Sequence, residues 1–448
     1  MSPGTRRRFS LVEYGQPLDI AVEIAAAASL DRDKARVLIE RAGERIARTL
    51  RFSSNPIRID ADGVRAVDVA GMIRLGPSVE LEIAPKFLGL DRADSRWRED
   101  FYLLANLSRH GRLLASERLK ASSGAPRDLA TLVARSLAGM YRDNRRRPLR
   151  SYRRSREVDF SIDGELDPIE MYQPGPDGFP QELIRYDRRN PFNASIVGAA
   201  SELLPEVSDP IAVAELVRIV EDLPQQGRPT PNRSRKVPGR ARVWQPTIDL
   251  ANDVLQGLGV SYKNGFASAP GYVVNTWRVW EDLLIIASRF SFGRDATGVQ
   301  SDYRLGLRYL GTAGAKSTVN VYPDLTISAG GSRPRFILDA KYKSSSEKGR
   351  TRISESDVYE ALAYAKAGAC DLIVLAYPSL PSNSLKTLGE VSVFETVVVD
   401  RTKIFGIEVE ARGISQRGGL KLFSETMSTH LRSIVSQDVA RAQTTDTT

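Results

Sequence analysis

Asp324, Asp339 and Lys341 are the side chains of this sequence whose types and spacing suit a reaction. They fall in Val319-Asn320-Val321-Tyr322-Pro323-Asp324 and, beyond a Gly-rich stretch, in Phe336-Ile337-Leu338-Asp339-Ala340-Lys341. Both segments read as strands, and Ala329-Gly330-Gly331-Ser332 reads as the turn that brings the second back beside the first, so a hairpin is expected. Side chains alternate along a strand, which sets Asp339 and Lys341 on one face. Pro323 cannot donate to a ladder, so a bulge or strand edge is expected there, with Asp324 turned outward. Two carboxylates facing across such a hairpin suit Mg2+, with Mn2+ as a substitute, because a hard cation takes oxygen ligands and keeps several waters. The Ala340 carbonyl and a phosphate oxygen would complete the shell. The cation would acidify a bound water and neutralise charge on a phosphorane. Lys341 would orient the water or stabilise the transition state. The nearby metal would also push its pKa below the usual value of about 10.4. That chemistry is phosphodiester hydrolysis.

An isolated Asp-x-Lys carries little information, since roughly one is expected by chance in a chain of this length. Its weight here comes from the strand context, the Pro-Asp opposite and the flanking helices. Glu281, in Trp277-Arg278-Val279-Trp280-Glu281-Asp282, lies on the helix expected before the hairpin. It either reaches the metal through a water, as a fourth catalytic residue, or is a solvated helix acid. Glu360, on the helix after the hairpin, could face the site, whereas Tyr359 and Tyr364 are expected to pack. Gly311-Thr312-Ala313-Gly314-Ala315-Lys316-Ser317 imitates a nucleotide loop, but a P-loop needs Gly directly before Lys and Ala315 stands there. It reads as a turn between basic strands, so no nucleotide is expected to bind this chain.

The elements that must position these residues follow from periodicity. Val64 to Val69 and Val79 to Ile83 read as strands, Arg32 to Arg48 as an amphipathic helix, and Ile20 to Leu30 as a helix packed on one side. Arg98 to Tyr141 is helical, Val158 to Leu166 a short strand pair turning at Asp163-Gly164, Met171 to Pro180 a loop, and Asn193 to Leu223 helical. Beyond that come a helix from Val273 to Arg289, a basic strand from Tyr303 to Tyr309, the hairpin, a helix from Ser354 to Ala367, and strands from Asp371 to Ala376 and Val391 to Val399. Helix, antiparallel hairpin, helix and buried strand make an α/β core with a mixed sheet, preceded by an α+β N-terminal part. The segment Pro224 to Pro238 has four prolines and several basic residues without apolar periodicity. We therefore expect an N-terminal region over 1–223, a basic Pro-rich linker over 224–242 and a catalytic domain over 243–448.

The 448 residues are 42% hydrophobic and 27% charged, which suits a globular chain of two or three domains. No apolar run approaches the roughly 20 residues of a membrane span, and no signal peptide follows Arg6-Arg7-Arg8. One cysteine, Cys370, fits a reducing cytoplasm and reads as a buried thiol. With His110 and His430 as the only histidines, zinc fingers and Ser-His-Asp catalysis are excluded. Sixty-four Lys and Arg against 55 Asp and Glu leave a net charge of +9, which favours a polyanion such as double-stranded DNA. The excess is clustered around Arg145, Arg146, Arg147 and Arg150 through Arg156, and again from Arg228 to Arg242. Such clusters either form a solvated face or bind phosphate without reading sequence. Candidate DNA contacts are Arg304, Arg308, Lys343, Arg235 and Lys236, while Arg145, Arg146, Arg147 and Arg150 could touch DNA or a protein partner.

Together these segments resemble the PD-(D/E)xK nuclease superfamily, and the wider chain resembles the McrC family, the nuclease subunit of modification-dependent McrBC restriction systems. The matching stretches are Leu81 to Lys86, Leu137 to Arg142, Asn275 to Glu281, Tyr322-Pro323-Asp324, Leu338 to Lys343 and Asp357 to Tyr364. The resemblance implies that Asp324 and Asp339 are metal ligands and Lys341 the catalytic lysine. It further implies an AAA+ GTPase partner, McrB-like, that recognises methylated DNA and docks on the N-terminal half. Two positions depart from the family. Phe160-Ser161-Ile162-Asp163-Gly164-Glu165 stands where Arg-Gly-Arg-Ile-Asp is common, and Glu360 stands where Gln is usual. A DNA-binding adaptor without catalysis, and a stand-alone repair nuclease, are the competing readings.

Overall fold

The computed structural model describes residues 7–76, 79–90, 96–110, 129–166, 175–207, 209–224, 236–255, 273–310, 315–328, 333–343, 345–347, 350–381 and 386–445. The chain opens with β1 (Arg7–Val12), α1 (Ile20–Ala28), α2 (Arg32–Leu50), β2 (Ile57–Ile59), β3 (Val64–Ala66), β4 (Val69–Gly76) and β5 (Val79–Ala84). The Asp31 side chain caps α2 by accepting from the Lys34 amide, and Arg51 in the left-handed region ends it. Strand β5 is buried on both faces, Glu80 and Glu82 included. Those carboxylates are tolerated because Arg8 and Arg98 pair with them.

A helical layer follows, made of α3 (Arg96–His110), α4 (Leu129–Asn144), α5 (Pro191–Leu203), α6 (Pro210–Asp222) and α7 (Gln245–Asp253). Between α4 and α5 stand β6 (Ser151–Asp159), β7 (Glu165–Leu166) and β8 (Phe179–Asp187), with β8 in the middle. Val158 and Leu166 thus do not pair with each other as expected; they pair with Pro180 and Gln181 on opposite edges of β8. The single helical stretch expected up to Leu223 is two helices. Pro205 cannot continue α5, and Asp209 with Pro210 at the first turn starts α6 afresh.

The second half begins with β9 (Val273–Asn275), which was expected as the first turn of a helix. It is instead the edge strand of the N-terminal sheet, whose order is β1-β5-β4-β9. The extended Asn275 then caps α8 (Thr276–Phe292) by accepting from the Arg278 amide. Next come β10 (Thr297–Val299), β11 (Tyr303–Leu310), β12 (Ala315–Val321), β13 (Leu325–Ser328), β14 (Pro334–Ala340), β15 (Ser345–Glu347), β16 (Arg350–Arg352) and α9 (Glu355–Gly368). The chain finishes with β17 (Leu372–Pro378), β18 (Val391–Val399), β19 (Thr402–Val409) and α10 (Gly419–Thr445).

The mixed sheet runs β10-β13-β14-β17-β19-β18. Strand β14 pairs antiparallel with β13 and parallel with β17, and α9 is the crossover between those parallel strands. Strand β17 is buried at every position, as a central parallel strand should be. The expected hairpin exists, but its first arm is β13. Val319 to Val321 belong to a separate two-stranded sheet with β11. Pro323, lacking an amide hydrogen, separates the two ladders and leaves Asp324 in the connection just before β13. The expected turn at 329–332 lies outside the described residues, as do 171–174, 225–235 and 311–314 of the expected loops.

One core joins the two halves: Ala70, Phe87 and Phe101 bury into the same apolar cluster as Trp280, Leu338 and Phe423. Trp280 is fully buried, with Phe87 5.8 Å away ring to ring, and its indole donates to the Ala376 carbonyl at 3.0 Å. Burying such a side chain stabilises the fold by about 3 kcal/mol. Among the described residues no helix is long and apolar enough to cross a membrane.

Candidate active site

The register Leu325 to Leu338 sets Asp324 beside Asp339. One Asp324 carboxylate oxygen accepts from the Ala340 amide at 2.9 Å, while the Asp324 amide points at Asp339 Oδ1 at 3.5 Å. Asp339 is buried, with 3% exposure. The Lys341 amide donates to the Ala376 carbonyl at 2.9 Å, which carries the β14–β17 pairing one residue past the strand. Its ammonium lies 2.7 Å from Asp339, 2.6 Å from Glu360 and 3.5 Å from Asp357. The expectation that Asp339 and Lys341 share a face is met directly.

Two helices close the site. From α8, Glu281 accepts from the Gln300 side chain at 3.1 Å. Gln300 adopts φ 45°, a left-handed conformation uncommon for a residue with a side chain. Its amide also donates to the Asp324 carbonyl at 3.0 Å, so it ties Glu281 to the Asp324 backbone. From α9, Glu360 accepts from the Tyr364 hydroxyl at 2.7 Å, and Asp357 accepts from Tyr377 at 3.1 Å. Tyr364 is buried, whereas Tyr359, expected to pack, is 67% exposed. Gln300 and Tyr377 were not picked out from the sequence, and Asp357 entered only as the first residue of the matching stretch Asp357 to Tyr364, with no role assigned to it.

The electrostatics follow from burying acids together. Burial, then the Asp339 charge and the Glu281 charge, raise the Asp324 pKa to about 7. Burial raises Asp339 as well, against the pull of Lys341. Burial likewise raises Glu281, opposed by the Gln300 hydrogen bond, with the Asp339 charge adding to the rise. Burial alone would lower the Lys341 pKa, but Asp339 and Glu360 outweigh it and the net shift is upward. The depression expected of a neighbouring metal would act against this upward pull of Asp339 and Glu360. Burial pulls Glu360 up, but the Lys341 and Tyr364 hydrogen bonds leave it below its ordinary value.

Two adjacent aspartates that resist ionisation, Asp339 buried and Asp324 half-buried, are what a hard divalent cation would relieve, so the donor set fits the metal. The fit is to a pair of carboxylates completed by other oxygens. Among the described residues no cluster of three or more His, Cys, Asp or Glu side chains is arranged to hold a metal.

Arg304 and Arg308 are exposed on β11, in a β11–β12 sheet that leads through Tyr322 and Pro323 into Asp324. Lys343 is exposed but pairs with Asp68 at 3.0 Å. Lys236 is exposed, and Arg235 lies outside the described residues. Arg145, Arg146, Arg147 and Arg150 stand exposed between α4 and β6, on elements other than those that bear the carboxylates, and Arg145 pairs with Asp222 at 3.1 Å. Cys370 is buried and its thiol contacts the Leu372 carbonyl, as expected of a structural cysteine.

Residues 64–378 match the sequence profile of the McrBC 5-methylcytosine restriction system component family. The chain belongs to that family. The McrC resemblance read from the motifs falls within it. No curated protein matches the sequence. Among solved structures, the McrBC-family fold is similar to a chain in the half-complex of the tetradecameric assembly of Thermococcus gammatolerans McrB AAA+ hexamers with bound McrC. The TM-score is 0.68 at 14% identity, covering 94% of this chain and 100% of that one. A chain in the cryo-EM structure of the Thermococcus gammatolerans McrBC complex aligns with TM-score 0.46 and 14% identity, over 62% of this chain and 85% of that one.

Proposed function

We propose that this McrBC-family chain is the Mg2+-dependent endonuclease subunit of a modification-dependent restriction system, cutting double-stranded DNA when an AAA+ GTPase partner engages it. The observation that carries the reading is the adjacent pair of half-buried Asp324 and buried Asp339 with the Lys341 ammonium 2.7 Å from Asp339. A second, half-buried acid with its pKa raised to about 7 beside that ion pair is what a functional carboxylate pair would show.

Asp324 and Asp339 would hold the cation, whose contribution is to acidify a water and neutralise charge on the phosphate. Lys341, kept protonated by Asp339 and Glu360, donates hydrogen bonds to the attacking water or to the phosphate oxygens. Asp357 and Glu360 fix where the ammonium points. Glu281, held by Gln300, would accept from a water bound to that cation. The hydrocarbon floor of Leu338, Val374 and Trp280 keeps these groups from relaxing apart. Arg304 and Arg308 would contact the DNA backbone flanking the cut, and the exposed arginines from Arg145 to Arg150 supply a surface for the partner or for DNA.

The test is co-purification with an AAA+ GTPase encoded beside this chain, followed by cleavage of methylated DNA with and without nucleotide. Nucleotide-dependent cleavage by the complex alone is expected. Cleavage by the isolated chain without nucleotide would make it a stand-alone nuclease instead. Stimulation of the partner's GTPase with no cleavage under any metal would make it an adaptor.

A further inference from the structure

Leu81 to Lys86 and Asn275 to Glu281 resemble the family, yet of these residues only Trp280 and Glu281 enter the site as described above. The structure brings Lys86 and Thr276, one residue from each stretch, to one buried point. Glu13, directly after β1, is fully buried. Its carboxylate accepts from the Thr276 hydroxyl at 2.5 Å and from the Tyr342 hydroxyl at 2.5 Å, with the Lys86 amide at 3.4 Å. Thr276 is the first residue of α8, the helix that bears Glu281. Tyr342 directly follows Lys341. The Lys86 ammonium donates to the Tyr342 carbonyl and lies 4.4 Å from the centre of its ring. One residue further, Lys343 pairs with Asp68, which also accepts from the Tyr14 hydroxyl.

We propose that Glu13 and Lys86 are positioning residues for the nuclease site, clamping Tyr342 against the start of α8 so that the N-terminal sheet fixes where Lys341 and Glu281 stand. Both of the clamp's outputs are short covalent paths to reacting groups: one peptide bond from Tyr342 to Lys341, and little more than one helical turn from Thr276 to Glu281. The Ala376 carbonyl closes the loop, since it accepts from both the Lys341 amide and the Trp280 indole. A buried carboxyl is an expensive way to join two halves, and burial pushes Glu13 up to about 7 despite its hydrogen bonds. An apolar contact would hold the halves together as well, whereas directional hydrogen bonds specify one arrangement.

This inference rests on the nuclease reading, and one experiment separates the two. Single-turnover cleavage is measured in the partner complex at saturating DNA and Mg2+ for Tyr342→Phe, Glu13→Gln, Lys86→Arg, Lys86→Met and Lys341→Ala, beside DNA affinity and partner co-purification. Tyr342→Phe keeps the ring and its packing, which guards against simple unfolding. The clamp predicts a fall of about ten- to a hundredfold in the cleavage step for Tyr342→Phe and Glu13→Gln, as misplacement of a reacting group by a fraction of an ångström to one ångström requires. DNA affinity and co-purification should hold. Lys86→Arg, which keeps a cation over the ring, should retain more of the rate than Lys86→Met. Wild-type cleavage in Tyr342→Phe and Glu13→Gln with Lys341→Ala inactive overturns the clamp and leaves the nuclease reading intact. Equal losses of cleavage, DNA affinity and partner binding also overturn it, because they mark a general loosening. Wild-type cleavage by Lys341→Ala removes the nuclease reading itself.

Discussion

Metal affinity should fall as the solution is acidified, by an amount that Asp324 sets. Asp324 keeps its proton up to about pH 7 because it is partly desolvated beside the charges of Asp339 and Glu281. A cation binds only the ionised form, so below that pH each binding event must first release a proton. With one group titrating at about 7, the dissociation constant rises by about elevenfold at pH 6 over its alkaline limit, and by only about a tenth at pH 8. Affinity should thus be about tenfold weaker at pH 6 than at pH 8, equivalent to about 1.4 kcal/mol. Asp339 is shifted in the same direction, so its contribution makes the fall steeper. Glu281→Gln removes one of the charges that raise Asp324 and should move the midpoint to lower pH. Calorimetric titration with Mg2+ at pH 6, 7 and 8, in two buffers of different ionisation enthalpy, reads both the affinity and the protons released. An affinity that is flat from pH 6 to 8, with no proton release, would refute the electrostatic account of this site.

Three further outcomes follow from the geometry. Glu360→Gln keeps a polar partner for Lys341 while removing the charge. Cleavage should stay within about threefold of wild type and stability within about 1 kcal/mol, because Glu360 is half-exposed; a loss beyond tenfold would make the Glu360 charge essential. Trp280→Ala should cost about 3–5 kcal/mol in chemical denaturation, since the ring is fully buried and its indole hydrogen bond is lost too; a cost below 1 kcal/mol would mean that the shared core is not structural. Arg304→Ala and Arg308→Ala should each weaken DNA binding alike on all sequences and lower the slope of log affinity against log salt by about one; an unchanged slope would take β11 off the DNA.

The grouping of Asp324, Asp339 and Lys341 was legible in the sequence because each of its parts is chemically unusual for a strand: Pro-Asp on one side, Asp-x-Lys on the other. The register that joins them was not. Val319 to Val321 alternate like a hairpin arm, and nothing local says that Pro323 ends one ladder and that Leu325 begins another. Val273 to Asn275 look helical by their apolar content, but a distant strand, β4, recruits them. The ion pairs of Lys341 were not legible either, because Asp357 and Glu360 reach its ammonium only once α9 packs over the sheet. Glu13 lay wholly out of reach. It meets Tyr342 across 329 residues of sequence, and a lone glutamate after a short strand gives no sign of that contact.

The central claim is that Asp324, Asp339 and Lys341 perform phosphodiester hydrolysis. Its most direct test is the cleavage rate of purified partner complex carrying Asp339→Ala, measured on methylated DNA with Mg2+ and nucleotide. The account predicts no detectable cleavage while folding and partner binding persist. Cleavage by that variant at the wild-type rate would contradict it.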